Sequence, residues 1–276
     1  MPLARLALYA ATAGGFALAV SSFVVEPPPL WVALLYLFLY IGLCVAGVIF
    51  AGMGMFADVV TRGPRNARGL ALTFDDGPDP KTTPAVLDLL DEAGAKATFF
   101  LIGRKAAKHP ELVREIAERG HAVGVHSYSH DRLFSLRAPW TVKKDLERCI
   151  DLLHELTGAR PTLYRAPIGH ISPSMGRVAR ELGLDCIGWS ARGLDGWKGA
   201  TAELVRNQVA RGLEDGAIVL LHDASERGDF TPASIAALPE ILAEIDARQL
   251  AGVRVDAWLG GDSEEARAAA HDRATA

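Results

Sequence analysis

Residues 70–78 read Leu-Ala-Leu-Thr-Phe-Asp-Asp-Gly-Pro, and this segment decides how the rest of the chain is interpreted. Its apolar first half is typical of a buried strand, and its Gly-Pro end breaks that strand. Neighbouring side chains of a regular strand point to opposite faces, so Asp75 and Asp76 can share one site only where the chain turns. The segment predicts a strand that ends in a loop with two carboxylates, although a simple Asx-type turn is the alternative.

A second apolar run ends in the same way with two imidazoles. Residues 123–130 read Val-Gly-Val-His-Ser-Tyr-Ser-His, which places His126 and His130 four residues apart after a predicted strand. A carboxylate and two imidazoles at strand ends form a ligand set for a divalent ion with open positions for water. We expect one such ion, with zinc first and cobalt, nickel or manganese as alternatives, and we expect His130 on the first turn of a short helix. Together, the segments 70–78 and 123–130 predict metal-assisted hydrolysis.

Beyond residue 68, apolar runs alternate with helical patterns. The predicted strands are residues 70–75, 97–102, 122–126, 162–166, 186–190, 218–221 and 253–258. Hydroxyl residues before proline predict helix starts near Thr83, Ser172 and Thr231, and glycines at 94, 120, 158 and 183 predict helix ends. Seven strands that alternate with helices favour a parallel (β/α)7 barrel over an open sheet, because the candidate catalytic residues follow strand ends.

The N-terminal part of the chain is strongly apolar. Residues 6–25 and 30–56 contain no charged side chain, and each is long enough to cross a bilayer core as a helix, which takes about 20 residues. Glu26 and three prolines separate them, so residues 1–60 are predicted to form a transmembrane hairpin. A cleaved signal peptide followed by one membrane helix is the alternative. The catalytic domain is assigned to residues 68–260, and residues 261–276 are predicted to form a flexible tail.

The charges of the chain indicate which partners are excluded and on which side of a membrane the catalytic domain would lie. A net charge of −4 argues against a nucleic-acid partner. Arg5 precedes the first apolar segment, and Arg62, Arg65 and Arg68 follow the second. The positive-inside bias therefore places a multi-pass protein in the cell (inner) membrane with its catalytic domain in the cytoplasm. The three cysteines are scattered and predict no disulfide framework.

The segments 70–78 and 123–130 resemble motifs of polysaccharide deacetylases, which share the NodB-homology domain of carbohydrate esterase family 4. TFDDGP is complete at residues 73–78 and H-S/T-x-x-H at residues 126–130. The R-x-P motif lies at residues 165–169 with Ile168 in the aromatic slot, and L-x-H lies at residues 220–222. The fourth motif, D-x-x-D-W, is altered to Arg-Gly-Leu-Asp-Gly-Trp at residues 192–197. The resemblance implies a distorted (β/α)7, NodB-like barrel, and most family members work outside the cytoplasm.

The resemblance also implies roles for individual residues. Asp76, His126 and His130 would hold the metal, Asp75 would be the base, and Arg165 would hold the Asp75 carboxylate in place. His222 ends a buried apolar run, and an imidazole there suits a general acid that Asp195 would orient. The backbone N–H of Ile168 would stabilise an oxyanion. The residues expected to contact substrate are Pro167, Ile168, Leu220 and Trp197.

These assignments predict a metal-dependent hydrolase that removes an N-acyl group, chiefly acetyl, from an amino sugar of a polysaccharide or lipid-linked glycan. Arg192, which replaces an acidic residue of the fourth motif, could contact a substrate phosphate. One alternative is a deformylase or related amidohydrolase of a lipid-linked amino sugar. Another is a non-catalytic glycan-binding protein held in the membrane with a decayed site. The expected partners are therefore an N-acylated amino-sugar glycan or lipid-linked sugar and the lipid bilayer.

Overall fold

One parallel sheet positions the candidate site. The structure is a computed structural model, and it describes residues 1–259. Within this part of the chain the sheet order is β1-β6-β5-β4-β3-β2-β8-β7, and every neighbouring pair of strands is parallel. The strands are β1 (Val59–Val60), β2 (Ala71–Asp75), β3 (Ala97–Leu101), β4 (Ala122–Val125), β5 (Leu163–Tyr164), β6 (Asp185–Ile187), β7 (Ala191–Arg192) and β8 (Ile218–His222).

The sheet curls into a distorted barrel because one segment joins its two ends. The predicted strand 186–190 is shortened to β6, which pairs with β5, and β7 begins just past its predicted end and pairs with β8. β1 pairs with β6, and an isolated bridge joins Arg62 to Ala217 just before β8. The segment that begins with β1 and continues to Arg62 thus joins β6 to the start of β8. The predicted parallel α/β barrel of the NodB type is confirmed, with more broken strands than expected.

The prediction of a strand at residues 253–258 is wrong. Val255–Trp258 is a 3-10 helix, and Gly252, just before the predicted strand, makes an isolated bridge with Leu70. The N–H of Val255 donates to the Thr98 hydroxyl at 3.0 Å, and its side chain packs among first residues of strands such as Ala71 and Ile218. This segment therefore closes the end of the barrel opposite the strand C-termini, and β1 contributes the additional strand instead.

Amphipathic helices cover the outside of the sheet. They are α3 (Thr83–Glu92), α4 (Gly103–Ala106), α5 (Pro110–Glu118), α6 (Pro139–Thr157), α7 (Pro173–Glu181), α8 (Ala202–Ala210) and α9 (Ala233–Ala247). Glycines at 94, 120, 158 and 183 follow helix ends with positive φ, as predicted. Of the three predicted hydroxyl caps, only Ser172 accepts from a first-turn N–H, that of Met175. The Thr83 hydroxyl bonds the Asp79 N–H and the Asp223 carboxylate instead, and α9 begins after Pro232.

Two apolar helices precede the barrel, α1 (Leu3–Val24) and α2 (Leu30–Ile49). Both are long and apolar enough to span a membrane and have almost no buried residues, although a signal sequence near the N-terminus has the same length and composition. They pack antiparallel, with the hydroxyls of Thr12 and Tyr40 3.0 Å apart. The second helix is shorter than the predicted 30–56, because the chain tightens into a 3-10 turn at Ala51–Met53 and reverses at Gly54 with φ 69°.

The helices are joined to the barrel by direct contacts. Arg5 donates to the Gly54 carbonyl at 3.0 Å and pairs with Asp58 at 2.8 Å. The Ile171 N–H, beside α7, donates to the Val48 carbonyl of α2 at 3.1 Å. Because β1 belongs to the sheet, the barrel begins before the predicted boundary at residue 68. The predicted tail, residues 261–276, lies outside the described residues.

Candidate active site

The candidate catalytic residues converge at the C-terminal ends of the strands. Asp75 ends β2 and is the register partner of His222, which ends the adjacent β8. His126 directly follows β4, and Arg165 directly follows β5. Asp75, Asp76, His126, His130 and His222 line one cavity of about 300 Å³. Parallel strands start and stop together, so residues far apart in sequence meet at this end of the barrel.

Asp76, His126 and His130 form the group suited to a metal ion. Their candidate ligand atoms all lie within 4.8 Å of one another, and all three residues are buried. Asp76 Oδ1 lies 3.2 Å from His130 Nε2 and 3.5 Å from His126 Nε2. This buried oxygen has no hydrogen-bond partner, which is costly for a carboxylate in a protein interior. A divalent cation would satisfy it, so the donor set fits the predicted metal.

Left-handed backbone turns aim these side chains. Asp76 has φ 72°, which takes the chain out of the strand and lets both neighbouring carboxylates face the cavity. The Lys105 ammonium holds the turn by donating to the Asp76 carbonyl at 2.7 Å. Ser127 and His130 also have positive φ, so the expected short helix at His130 is wrong. The reason lies in a hydrogen bond from the His130 N–H to the Ser127 hydroxyl, which closes a tight loop instead.

A carboxylate on α6 secures this histidine loop. Asp145 accepts from the Tyr128 N–H at 2.7 Å and from the Ser129 N–H at 3.0 Å. Both donors lie between the two histidines, so the acidic side chain fixes the loop that separates the candidate ligands. Nothing in the local sequence marks this residue, because Asp145 is an ordinary polar position of an amphipathic helix. Only the packing of α6 against the barrel reveals its role.

Neighbouring groups set the protonation of the histidines. His126 Nδ1 faces the Arg165 carbonyl at 2.8 Å, which can only accept, so Nδ1 carries a proton and Nε2 faces Asp76. Burial would lower the pKa of His126, but the charges of Asp75 and Asp76 raise it above its ordinary value. Burial, with the charge of His126, lowers the pKa of His130 to about 4. For the Asp76 carboxylate, the facing imidazoles outweigh burial and lower the pKa.

Asp75 is held by a fully buried arginine. Arg165, 1% exposed, donates to Asp75 Oδ1 at 2.8 Å, to the Thr73 hydroxyl at 2.7 Å and to the Gly188 carbonyl at 2.9 Å. Burial lowers the pKa of the guanidinium, and the Asp75 charge opposes this effect. The second oxygen, Asp75 Oδ2, is 3.9 Å from His126 Nε2. One oxygen of Asp75 is thus bonded to Arg165, while the other faces the Asp76–His126–His130 group.

His222 and Asp195 form a second ionisable pair. His222 Nδ1 lies 3.0 Å from Asp195 Oδ1, and the His222 N–H donates to Asp195 Oδ2 at 2.7 Å. Asp195 is completely buried, and Leu194 before it has φ 58°. Burial would lower the pKa of His222, but the Asp195 carboxylate outweighs it and raises the pKa to about 9. The ring is therefore cationic at neutral pH and lines the cavity as a proton donor.

The four predicted substrate-contact residues lie in different places. Ile168, which is 49% exposed with φ 51°, and Leu220 line the cavity. Pro167 is buried beneath it, and Trp197 is 57% exposed outside the lining residues. The displaced tryptophan of the altered fourth motif thus lies away from the described cavity wall.

A loop after β8 supplies residues that sequence analysis did not identify. Glu226 lies with its Oε1 3.6 Å from His130 Nδ1, and its other oxygen pairs with Arg132 at 2.6 Å. Asp223, fully buried behind Gly77, accepts from Thr83, and burial raises its pKa to about 7. Their position just after the L-x-H motif is the one sequence signal that could have indicated them.

Fold and site together define the class of protein, a parallel α/β barrel with a buried carboxylate–imidazole group at the C-terminal ends of its strands. The chain matches the family model of polysaccharide deacetylases over residues 62–187, which include the Asp76–His126–His130 group. Two peptidoglycan-N-acetylglucosamine deacetylases of Bacillus cereus are 36% and 37% identical over 186 residues. These alignments cover 67% and 66% of this chain and 66% and 84% of the relatives.

A solved structure agrees with the sequence relatives. The Bc1960 peptidoglycan N-acetylglucosamine deacetylase has a TM-score of 0.68 and 32% identity, covering 74% of this chain and 94% of that one. The chain belongs to the polysaccharide deacetylase family and is a hydrolase of non-peptide carbon–nitrogen bonds. Asp195 and His222 lie beyond the segment that matches the family model.

Proposed function

We propose that this protein is a metal-dependent hydrolase that removes the acetyl group from an N-acetylated amino sugar of a polysaccharide or lipid-linked glycan. The observation that carries the proposal is that a carboxylate, Asp75, and an imidazole, His222, face one cavity, each with its own charged partner. Asp75 Oδ1 accepts a hydrogen bond from Arg165 at 2.8 Å, whereas Asp195, 3.0 Å from His222 Nδ1, keeps the His222 ring cationic. Amide hydrolysis requires a base for the attacking water and an acid for the departing nitrogen, and these two groups lie beside the candidate metal ligands.

The metal would be bound by Asp76, His126 and His130. Their carboxylate and imidazole ligands suit zinc, and cobalt, nickel or manganese are chemically acceptable. When bound, such an ion supplies Lewis acidity and lowers the pKa of a water molecule. The unpartnered Asp76 Oδ1 supports this assignment from the protein side.

The chain's own residues would then move two protons. Asp75 takes a proton from the attacking water, and Arg165 keeps that carboxylate oriented. The Ile168 N–H is proposed to donate to the oxyanion, a role that a backbone group keeps when the side chain changes. His222 gives its proton to the departing nitrogen, so the C–N bond breaks to leave a free amine and acetate. Asp195 stabilises the cationic ring before that transfer.

The substrate is proposed to be an N-acetylglucosamine glycan reached at a membrane. The Bacillus cereus relatives are peptidoglycan-N-acetylglucosamine deacetylases, which supports the sugar. The exposed, apolar α1 and α2 support attachment to the cell membrane as a multi-pass hairpin. The four arginines favour a cytoplasmic barrel, whereas a peptidoglycan substrate favours the outer side. Labelling of a cysteine introduced on α6 by an impermeant reagent in intact cells distinguishes the two orientations.

The deciding experiment measures acetate and formate released from N-acylated glucosamine oligomers and lipid-linked forms. The full chain is assayed after chelation and again after zinc is restored, with Asp75→Asn as a matched control. Zinc-dependent acetate release from the wild type, and not from the control, is the expected result. Formate release instead would favour the deformylase. A chain that binds one metal ion and releases neither acid would be a glycan-binding protein, and the proposal would be wrong.

A further inference from the structure

A second cavity of about 540 Å³ adjoins the active-site cavity on the side of the apolar helices. We call it the helix-side groove. One wall is the end of α2 with the following 3-10 turn, residues 49–53. The other wall contains Ile168, Gly169, Trp189 and Arg192, which also line the active-site cavity. The groove and the candidate catalytic centre therefore share a wall, and a ligand longer than one sugar could occupy both.

The lining of the groove is mainly apolar and accessible. Phe50 is 62% exposed, Ile168 is 49% exposed and Met53 is 44% exposed. Large apolar side chains that stay open to solvent around a concave surface are typical of a binding site. A polar glycan chain would need hydrogen-bond partners along this wall, and the solvent-accessible polar side chains of the lining are limited to Thr61, His170 and Arg192. The lining fits a hydrocarbon chain, and it continues along the apolar surface of α2.

A cation lies where the two cavities meet. Arg192 is exposed on β7 and lines both cavities. Its guanidinium makes no hydrogen bond or ion pair with any of residues 1–259, in contrast to Arg165 in the same region. A guanidinium at the boundary between a polar and an apolar cavity is complementary to a phosphate, which it can bind with two parallel hydrogen bonds.

We propose that the helix-side groove binds the apolar chain of a lipid-phosphate-linked amino sugar, with the phosphate at Arg192 and the N-acetylated sugar in the active-site cavity. The inference rests on the proposed deacetylase function and specifies its substrate class. The three parts of this ligand match the order of features in the protein. The apolar wall lies beside α2, Arg192 lies where the two cavities meet, and the polar active-site cavity lies beyond it. The apolar chain would leave the groove along α2, toward a bilayer in which that helix is embedded.

The test uses four soluble or short-chain substrates that separate the chain from the phosphate. They are methyl N-acetylglucosaminide, decyl N-acetylglucosaminide, N-acetylglucosamine methyl phosphodiester and N-acetylglucosamine decyl phosphodiester. Acetate release by the full chain in one detergent gives kcat and KM for each. The expected wild-type result is a KM at least tenfold lower for each decyl compound than for its methyl partner, equivalent to about 1.4 kcal/mol. The phosphate should lower KM further.

Gly52→Trp tests the groove directly. Gly52 lines the groove, and a Cβ there meets only the Thr61 side chain, at 3.4 Å, so a substitution starts without a backbone clash. The variant should lose the decyl preference. Gly42→Trp on the open side of α2, where a side chain meets nothing within 4 Å, is the matched control and should keep it. Met53→Glu gives a second, smaller perturbation of the same wall if Gly52→Trp unfolds at a lower temperature than the control.

Arg192→Gln tests the junction, with Arg192→Lys as the charge-conserving control. In Arg192→Gln the KM for the phosphodiester substrates should rise about tenfold, which removes their advantage over the uncharged glucosaminides. Arg192→Lys should keep most of that advantage. A decyl preference that persists in Gly52→Trp and Met53→Glu would overturn the groove and assign the preference to micelle partitioning. Equal KM values for all four substrates, with acetate still released, would overturn the inference but leave the deacetylase. No acetate from any amino sugar would refute the deacetylase itself.

Discussion

The Asp195–His222 pair offers a sharp test of the proposed proton transfers. Asp195→Asn keeps the shape of the buried side chain but removes the charge that lies 3.0 Å from His222 Nδ1. Only the weaker effects of the Asp76 and Asp75 charges then oppose burial of the imidazole, so its pKa should fall from about 9 toward the ordinary 6.5. If His222 is the general acid, the variant will lose activity at the pH where the wild-type ring is still charged.

The size of the effect follows from the two pKa values. At pH 8 a ring with a pKa of about 9 is about 90% protonated, whereas one with a pKa of 6.5 is about 3% protonated. The ratio of wild-type to variant kcat/KM should therefore increase about 20-fold between pH 6 and pH 8. The raised pKa also stabilises the fold by about 3 kcal/mol, which is fully present below pH 6.5 and is lost as pH rises through about 9.

The assay is acetate release from an N-acetylglucosamine oligomer at pH steps from 5.5 to 10, with the same zinc concentration throughout. Urea unfolding of both proteins at pH 6 and pH 9.5 measures the stability term. Asp256→Asn, at the opposite end of the barrel, controls for the loss of a carboxylate in general. A kcat/KM ratio that stays constant between pH 6 and pH 8 would refute the assignment of His222 as an acid tuned by Asp195.

Three further predictions concern the base, the metal group and its support. Asp75→Asn should lower kcat about 10³-fold with one metal ion still bound. It should also lower the free energy of unfolding by about 3 kcal/mol, because Arg165 keeps a buried charge without its partner. Normal turnover would contradict the assignment of Asp75 as the base. His130→Ala should lose the metal in equilibrium dialysis, and zinc should restore activity to the chelated wild type only; undiminished zinc binding would rule out this ligand. Asp145→Ala should raise the zinc dissociation constant about tenfold, because the backbone N–H groups of Tyr128 and Ser129 lose the carboxylate that accepts from them. An unchanged constant, measured by competition with a chelator, would show that the histidine loop is rigid without Asp145.

Much of the site could be located from sequence because its residues follow recognisable strands. Apolar runs before Asp75, His126 and His222 mark strand ends, and parallel strands bring their ends together. Glycine after each helix predicted where α3, α5, α6 and α7 stop, since those positions take a left-handed conformation. These are local properties, so a single sequence contains them. The position of Asp75, Asp76, His126 and His222 around one cavity agrees with that expectation.

Other features depended on contacts between distant segments. β1 has two residues and no local pattern, and it is a strand only because β6 offers it a partner. The apolar run at 253–258 has the composition of a strand but is turned into a 3-10 helix by its packing beneath the barrel. Trp197 matched a motif by type, yet the displaced spacing places it outside the cavity lining.

The sequence by itself determined the strand ends, the helix ends and the chemistry of the catalytic side chains, because these follow from periodicity and residue type over short stretches. The tertiary structure decided which carboxylate supports which histidine, as with Asp145 and Glu226, and how α2 adjoins the active site. Those relations join residues separated by long loops. Their geometry is set by the packing of the whole barrel, which no local pattern encodes.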